Sequence, residues 1–74
     1  MEEHMMPLTL AEVGEETIIR KIGGRQEVKA HLENLGFVVG GAVTVISAIG
    51  GNVIVNVKDS RIAVSREMAQ KIMV

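Results

Sequence analysis

The sequence predicts a small, mainly β domain with short helices, built as an SH3-like β-barrel with a helix inserted after the first strand. Three observations carry that prediction. Short β-rich runs at 17–22, 42–49, 53–57 and 61–64 are separated by turn signals, namely Gly-Gly at 23–24 and 50–51 and the polar run 58–61. Only one segment, 25–35, has helical periodicity. The chain has 74 residues, enough for one core, and several short strands protect their edges best by closing or nearly closing on themselves.

Taken in order, residues 1–6 form an acidic, Met-rich start expected to fray, so the domain is set at 7–74. Thr9 and Glu12 have the spacing of a capping box, and Gly14 is placed to stop the turn it would start. A short helical turn is therefore expected, with Leu8, Leu10 and Val13 facing inward. The first strand follows at 17–22, where Thr17, Ile18, Ile19 and Ile22 are β-branched. In the helix, Val28, Leu32 and Leu35 share one stripe, Lys29 and Glu33 are spaced as a surface pair, and Gly36 supplies the cap. Gly50-Gly51-Asn52 turns the next strand into 53–57, where Val53, Val55 and Val57 share a face. After the turn at 58–61, Ile62 and Val64 share a face. Ser65 caps a last helix from 66 to about 71, and 72–74 closes the chain as a strand. Met68 and Met73 read as gap-fillers beside that helix.

Composition narrows function. Apolar residues are 47% and charged residues 23%, a globular balance. The absence of cysteine excludes disulfides, thiolate metal sites and a cysteine nucleophile. A net charge of −1 gives no long-range attraction to nucleic acid or to an anionic membrane. The charge-free run 37–57 is cut by glycines and asparagines, so it reads as strands and not as a membrane helix. The N-terminus lacks a basic stretch followed by an apolar run, so no export signal is expected and the predicted location is cytoplasmic. Phe37 is the only aromatic residue, too few to stack bases or grip proline-rich peptides.

Little in the chain promises catalysis. Gly23-Gly24-Arg25 lacks the further residues of a nucleotide loop and reads as a strand-to-helix turn. Ser47, Ser60 and Ser65 with His4 and His31 form no recognisable triad, so the chain is expected not to be an enzyme. No cofactor is predicted. Glu27 and His31, four apart on the helix, are the one pair suited to Fe(II) or another divalent metal, but two ligands fall short of a site and a surface role is favoured. His4 lies in the solvated start. Lys58 with Arg61, and Arg20 with Lys21 and Arg25, read as solvated charge in preference to a partner patch.

The order of motifs resembles the FeoA family of bacterial ferrous iron transport. The matching pieces are Leu8-Thr9-Leu10 with Gly14-Glu15, then Ile22-Gly23-Gly24. After them come His31-Leu32-Glu33-Asn34-Leu35-Gly36-Phe37 with Gly40, and Ser60-Arg61-Ile62-Ala63-Val64-Ser65-Arg66. Val39 stands where the family commonly has proline, and Asp59 where glycine is usual. The resemblance implies a cytoplasmic SH3-like adaptor or regulator that binds the cytosolic part of FeoB, the membrane GTP-binding ferrous iron transporter, without entering the membrane or binding nucleic acid. It also implies a second reading, a metal-sensing module similar to the C-terminal domain of iron- and manganese-dependent repressors. Phe37 with Val38, just past the helix, and Arg61 at the turn are the candidate partner contacts. Phe37 fits the core as well, and that reading is favoured. An exposed apolar edge would support weak self-association.

Overall fold

The computed structural model describes residues 5–74. A 3-10 turn at Leu8–Leu10 precedes β1 (Glu16–Ile18), β2 (Lys21–Ile22), α1 (Gln26–Leu35), β3 (Ala42–Ile49), β4 (Asn52–Val57), β5 (Ser60–Ser65), α2 (Arg66–Ala69) and β6 (Ile72–Met73). Antiparallel pairing gives a four-stranded sheet in the order β1-β3-β4-β5 and a two-stranded sheet of β2 and β6. The expected mainly β architecture with an inserted helix is present. Among the described residues no ladder joins the two sheets, so the barrel is not closed.

The run at 17–22 is two strands and not one. It breaks at Ile19, whose N–H donates to Gly41 O (2.9 Å) and whose carbonyl accepts from Gly40 N–H (2.8 Å). Beyond that point the Arg20 N–H donates to Met73 O (2.8 Å), so the chain has left β3 for β6. A strand that changes sheets makes a corner, and this corner is filled by the fully buried Ile19 side chain.

The helix follows its sequence pattern. Leu32 is fully buried, and Val28 and Leu35 pack half-buried against the core. Gly36 adopts φ +111°, a left-handed conformation that a Cβ disfavours, and its N–H closes the last turn onto Glu33 O (3.0 Å). That turn sends Phe37 straight into the core, where it is the largest fully buried side chain. Lys29 and Glu33 are both exposed and form no ion pair, because holding two long solvated side chains in one geometry gains little.

The start of the domain departs from expectation. Pro7, not Thr9, precedes the 3-10 turn, and no side chain caps it, so the Thr9–Glu12 capping box does not form. A turn of three residues aims few side chains inward. Leu8 is fully buried, while Leu10 and Val13 are 67% and 65% exposed. Gly14, at φ +87°, does not stop a helix; it turns the loop so that its N–H donates to Val45 O (2.8 Å) on β3. Met6, in the segment expected to fray, exchanges both backbone hydrogen bonds with Val74 (2.9 and 2.8 Å), and Pro7 bridges Met73. His4 lies outside the described residues.

In β3 the register against β4 slips between Val45 and Ser47. The bulge shifts the inward phase by one residue, so Ile49 ends exposed opposite Asn52 instead of joining Val43 and Val45 in the core. On β4, Val53, Val55 and Val57 all point inward as their alternation requires. Ser65 Oγ accepts the Met68 N–H (3.2 Å), the expected cap, but α2 ends at Ala69 because β6 begins three residues later. Met68 packs half-buried on the core.

Candidate functional site

The alternation that points valines inward on β3 and β4 points Ala42, Thr44 and Asn56 to the other face of the sheet. Strand register then brings side chains from distant parts of the sequence into rows. Glu16 lies opposite Thr44, Thr44 opposite Asn56, and Asn56 opposite Arg61, one residue from each of the four strands. Beside this row, Ile18 lies opposite Ala42. Directly opposed residues of an antiparallel pair share a face, so these side chains form one continuous outer surface.

Part of that surface is hollow. A cleft of about 470 Å³ is lined by Glu16, Ala42, Thr44, Asn56, Lys58 and Asp59. The small Ala42 with Thr44 and Asn56 makes the floor, and all three are half-buried although they face away from the core. Glu16 forms one wall. The other is the two-residue turn between β4 and β5, where Lys58 (φ +50°) and Asp59 (φ +64°) both hold left-handed conformations. Two successive positive φ values match the twist of a tight hairpin, but they favour Asn-Gly over Lys-Asp. Among the described residues the side chains of Glu16, Lys58, Asp59 and Arg61 have no hydrogen bond or ion pair.

The residues singled out in the sequence are dispersed. Phe37 is fully buried, so it cannot contact a partner from the surface: its ring fills the core beneath the helix cap. Val38 is half-buried, and its carbonyl accepts the Gly41 N–H (3.0 Å) in the turn before β3. Arg61 is exposed on the outer row beside the cleft. Glu27 and His31 are exposed on α1, and among the described residues no group of three His, Cys, Asp or Glu is arranged to hold a metal. Among the described residues no helix is long and apolar enough to cross a membrane. The sequence reading missed Glu16, Thr44, Asn56 and Asp59 as a set. The available signal was Thr44 and Asn56 breaking valine-rich strands at outward positions, but only the register shows that they meet.

The FeoA domain profile matches residues 6–74, nearly the full length of the chain. The chain belongs to the FeoA family. It is 40% identical over 70 residues to a curated protein of Methanocaldococcus jannaschii whose name provisionally makes it an Fe(2+) transport protein A, with 95% of this chain and 85% of that one covered. Its fold is that of a crystal structure described as the iron uptake regulatory protein FeoA, with a TM-score of 0.87 at 25% identity over 97% of this chain and 96% of the other. A manganese-dependent transcriptional repressor shares the fold as well, with a TM-score of 0.85 at 15% identity, over 95% of this FeoA chain and 40% of the repressor.

Proposed function

We propose that this FeoA chain is a non-catalytic accessory protein of ferrous iron uptake, acting in the cytoplasm by binding the cytosolic part of the membrane GTP-binding transporter FeoB. The observation that carries this reading is membership of the family along nearly the whole chain, with a relative 40% identical that is named for Fe(2+) transport. The residues are in keeping with it. Among the described residues the side chains of Glu16, Lys58, Asp59 and Arg61 carry no ion pair, and Arg61 is exposed on the outer face of the sheet. Binding would act on the transporter through a difference in affinity between its conformations, the only way a bound protein can shift such an equilibrium.

The second reading is a metal-sensing module, favoured by the fold shared with a manganese-dependent repressor. Its candidate ligands remain Glu27 and His31, two exposed groups one helical turn apart.

Both readings meet in one experiment, a titration of the isotopically labelled chain followed by amide NMR. One arm adds the cytosolic GTP-binding domain of the cognate transporter, and the other adds anaerobic Fe(II). The adaptor reading expects localised shifts in the first arm that include Arg61, with none in the second. Saturable shifts confined to Glu27 and His31 with Fe(II) alone would replace it with the sensor. Silence with the transporter domain would remove that domain as the partner.

A further inference from the structure

The four-stranded sheet has two open edges, and they are not alike. At one, β1 is three residues long and leaves only Glu16 and Ile18 with outward backbone groups, because Thr17 and Ile19 turn theirs toward β3. At the other, β5 runs six residues in unbroken register with β4. The hydrogen-bonding phase of β5 is fixed at both ends. Ser60 pairs with Val57 across a two-residue turn, and the closing pair of such a hairpin is hydrogen-bonded. At the far end the Arg66 N–H reaches back to Gly51 O (2.8 Å), in the same phase. Ser60, Ile62 and Val64 therefore bond β4. Arg61 and Ala63 turn N–H and C=O outward, and Ser65, whose carbonyl opens α2, adds its N–H. All three residues are exposed, and among the described residues no backbone hydrogen bond from another element reaches these groups. Open edges are ordinarily blunted by shortness, charge, proline or a bulge. β1 is short and carries Glu16, whereas β5 has no proline, glycine or bulge and a single charged side chain, Arg61.

We propose that β5 is a self-association edge: two copies of the chain pair β5 with β5, antiparallel, about a two-fold axis through Ala63, and join their sheets into one. The residue pattern suits this occupant. The register that engages all three outward residues sets Ala63 against its own copy and Arg61 against Ser65, with about four hydrogen bonds between the strands. The two arginines then stand four residues apart along the pair, about 14 Å, which exceeds the Debye length of about 10 Å at 0.1 M salt. The same register lays the Lys58–Asp59 tip of one copy beside Arg66 and Glu67 at the start of α2 in the other, so each end joins two cations to two anions. On the face toward the core, half-buried Ile62 comes opposite Val64 of the second copy and gains apolar cover that a single copy lacks. Pairing β5 with β1 would set Arg61 near Glu16, but β1 offers two outward residues instead of three, and a head-to-tail contact does not close. One strand edge buries less than the about 800 Å² per partner of a standard interface, so the dimer is weak. The pairing rests on strand geometry alone and requires neither the transporter nor a metal.

The test follows the full chain by sedimentation equilibrium and amide hydrogen exchange from about 20 μM to about 1 mM, the range in which so small an interface associates. A monomer–dimer equilibrium is expected. As the dimer fills, exchange at Ala63 and Ser65 should slow by about two- to fourfold, while Ile62 and Val64, already bonded to β4, stay unchanged. Ala63→Lys sets two ammonium groups across the axis and should weaken the dimer by about tenfold or more. Ala63→Pro removes the central donor at a position that gives β4 no hydrogen bond, and should do the same. Ile18→Lys, a lysine placed on the β1 edge instead, should leave the dimer within about twofold. Circular dichroism will verify that each variant is folded. A chain that stays monomeric at about 1 mM would overturn the proposal, as would a dimer left intact by Ala63→Lys. Slowed exchange at Glu16 and Ile18, or loss of the dimer in Ile18→Lys, would move the contact to β1. Masses that grow beyond the dimer would make the contact head-to-tail. Either result replaces the β5 pair.

Discussion

Two hairpins of this small sheet solve the same problem with different residues. Between β3 and β4 the chain reverses in two residues, Gly50 and Gly51, with Gly50 at φ +60°. Between β4 and β5 it reverses in two residues again, but Lys58 and Asp59 hold φ +50° and +64°. Gly50 and Gly51 have nothing within 4 Å of where a Cβ would stand, so that turn is shaped by backbone alone. The second places two charged side chains on the wall of a cleft. Glycine would be cheaper than either residue at this second turn, so the two hairpins differ in backbone cost as well as in charge.

Substitutions can sharpen this contrast or break it. Both hairpins hang on one core, and Phe37→Ala should cost about 3–5 kcal/mol, enough to leave so small a domain near unfolding. Chemical denaturation will measure it, and a loss under about 1 kcal/mol would mean that Phe37 is not the core residue described. At the glycine turn, Gly50→Val should cost about 1–2 kcal/mol through backbone conformation alone. A cost-free Gly50→Val would erase the distinction between the turns. The tip of that hairpin is also tied to α2, because the Arg66 N–H donates to Gly51 O (2.8 Å). Ser65→Ala, which removes the helix cap beside it, should lower stability by about 1 kcal/mol and speed amide exchange at Met68. The smallest effect has the opposite sign. Lys58→Gly should stabilise the fold by a few tenths to about 1 kcal/mol in thermal unfolding. If the same substitution destabilises the fold, Lys58 is not strained and the comparison between the hairpins fails.

Local chemistry was legible in the sequence wherever it was also decisive. The stripe of Val28, Leu32 and Leu35, the stop at Gly36, the alternating valines of β4 and the Ser65 cap all appear where the pattern puts them. Features that depend on distant partners were not legible. The run at 17–22 looks like one strand because each residue suits a strand, but β3 and β6 compete for it and divide it at Ile19. Thr9 and Glu12 have the right spacing for a capping box, yet a proline-initiated 3-10 turn packed by Leu8 takes precedence. Ile49 belongs inward by strict alternation, and the bulge in β3 turns it out. The cleft lay furthest from reach, since Glu16, Thr44 and Asn56 come from three strands and become neighbours only through register.

The hydrogen bonds exchanged by Met6 and Val74 make the two ends of the domain neighbours across a single strand spacing. A domain whose entrance and exit coincide behaves as a plug-in part. It can be spliced into a surface loop of another protein, or hung from the end of a longer chain, without stretching its core. The same closure permits rewiring: a short linker from Val74 back to the start, with the chain opened at the exposed glycine hairpin tip, would reorder the strands in sequence while leaving every contact between them in place.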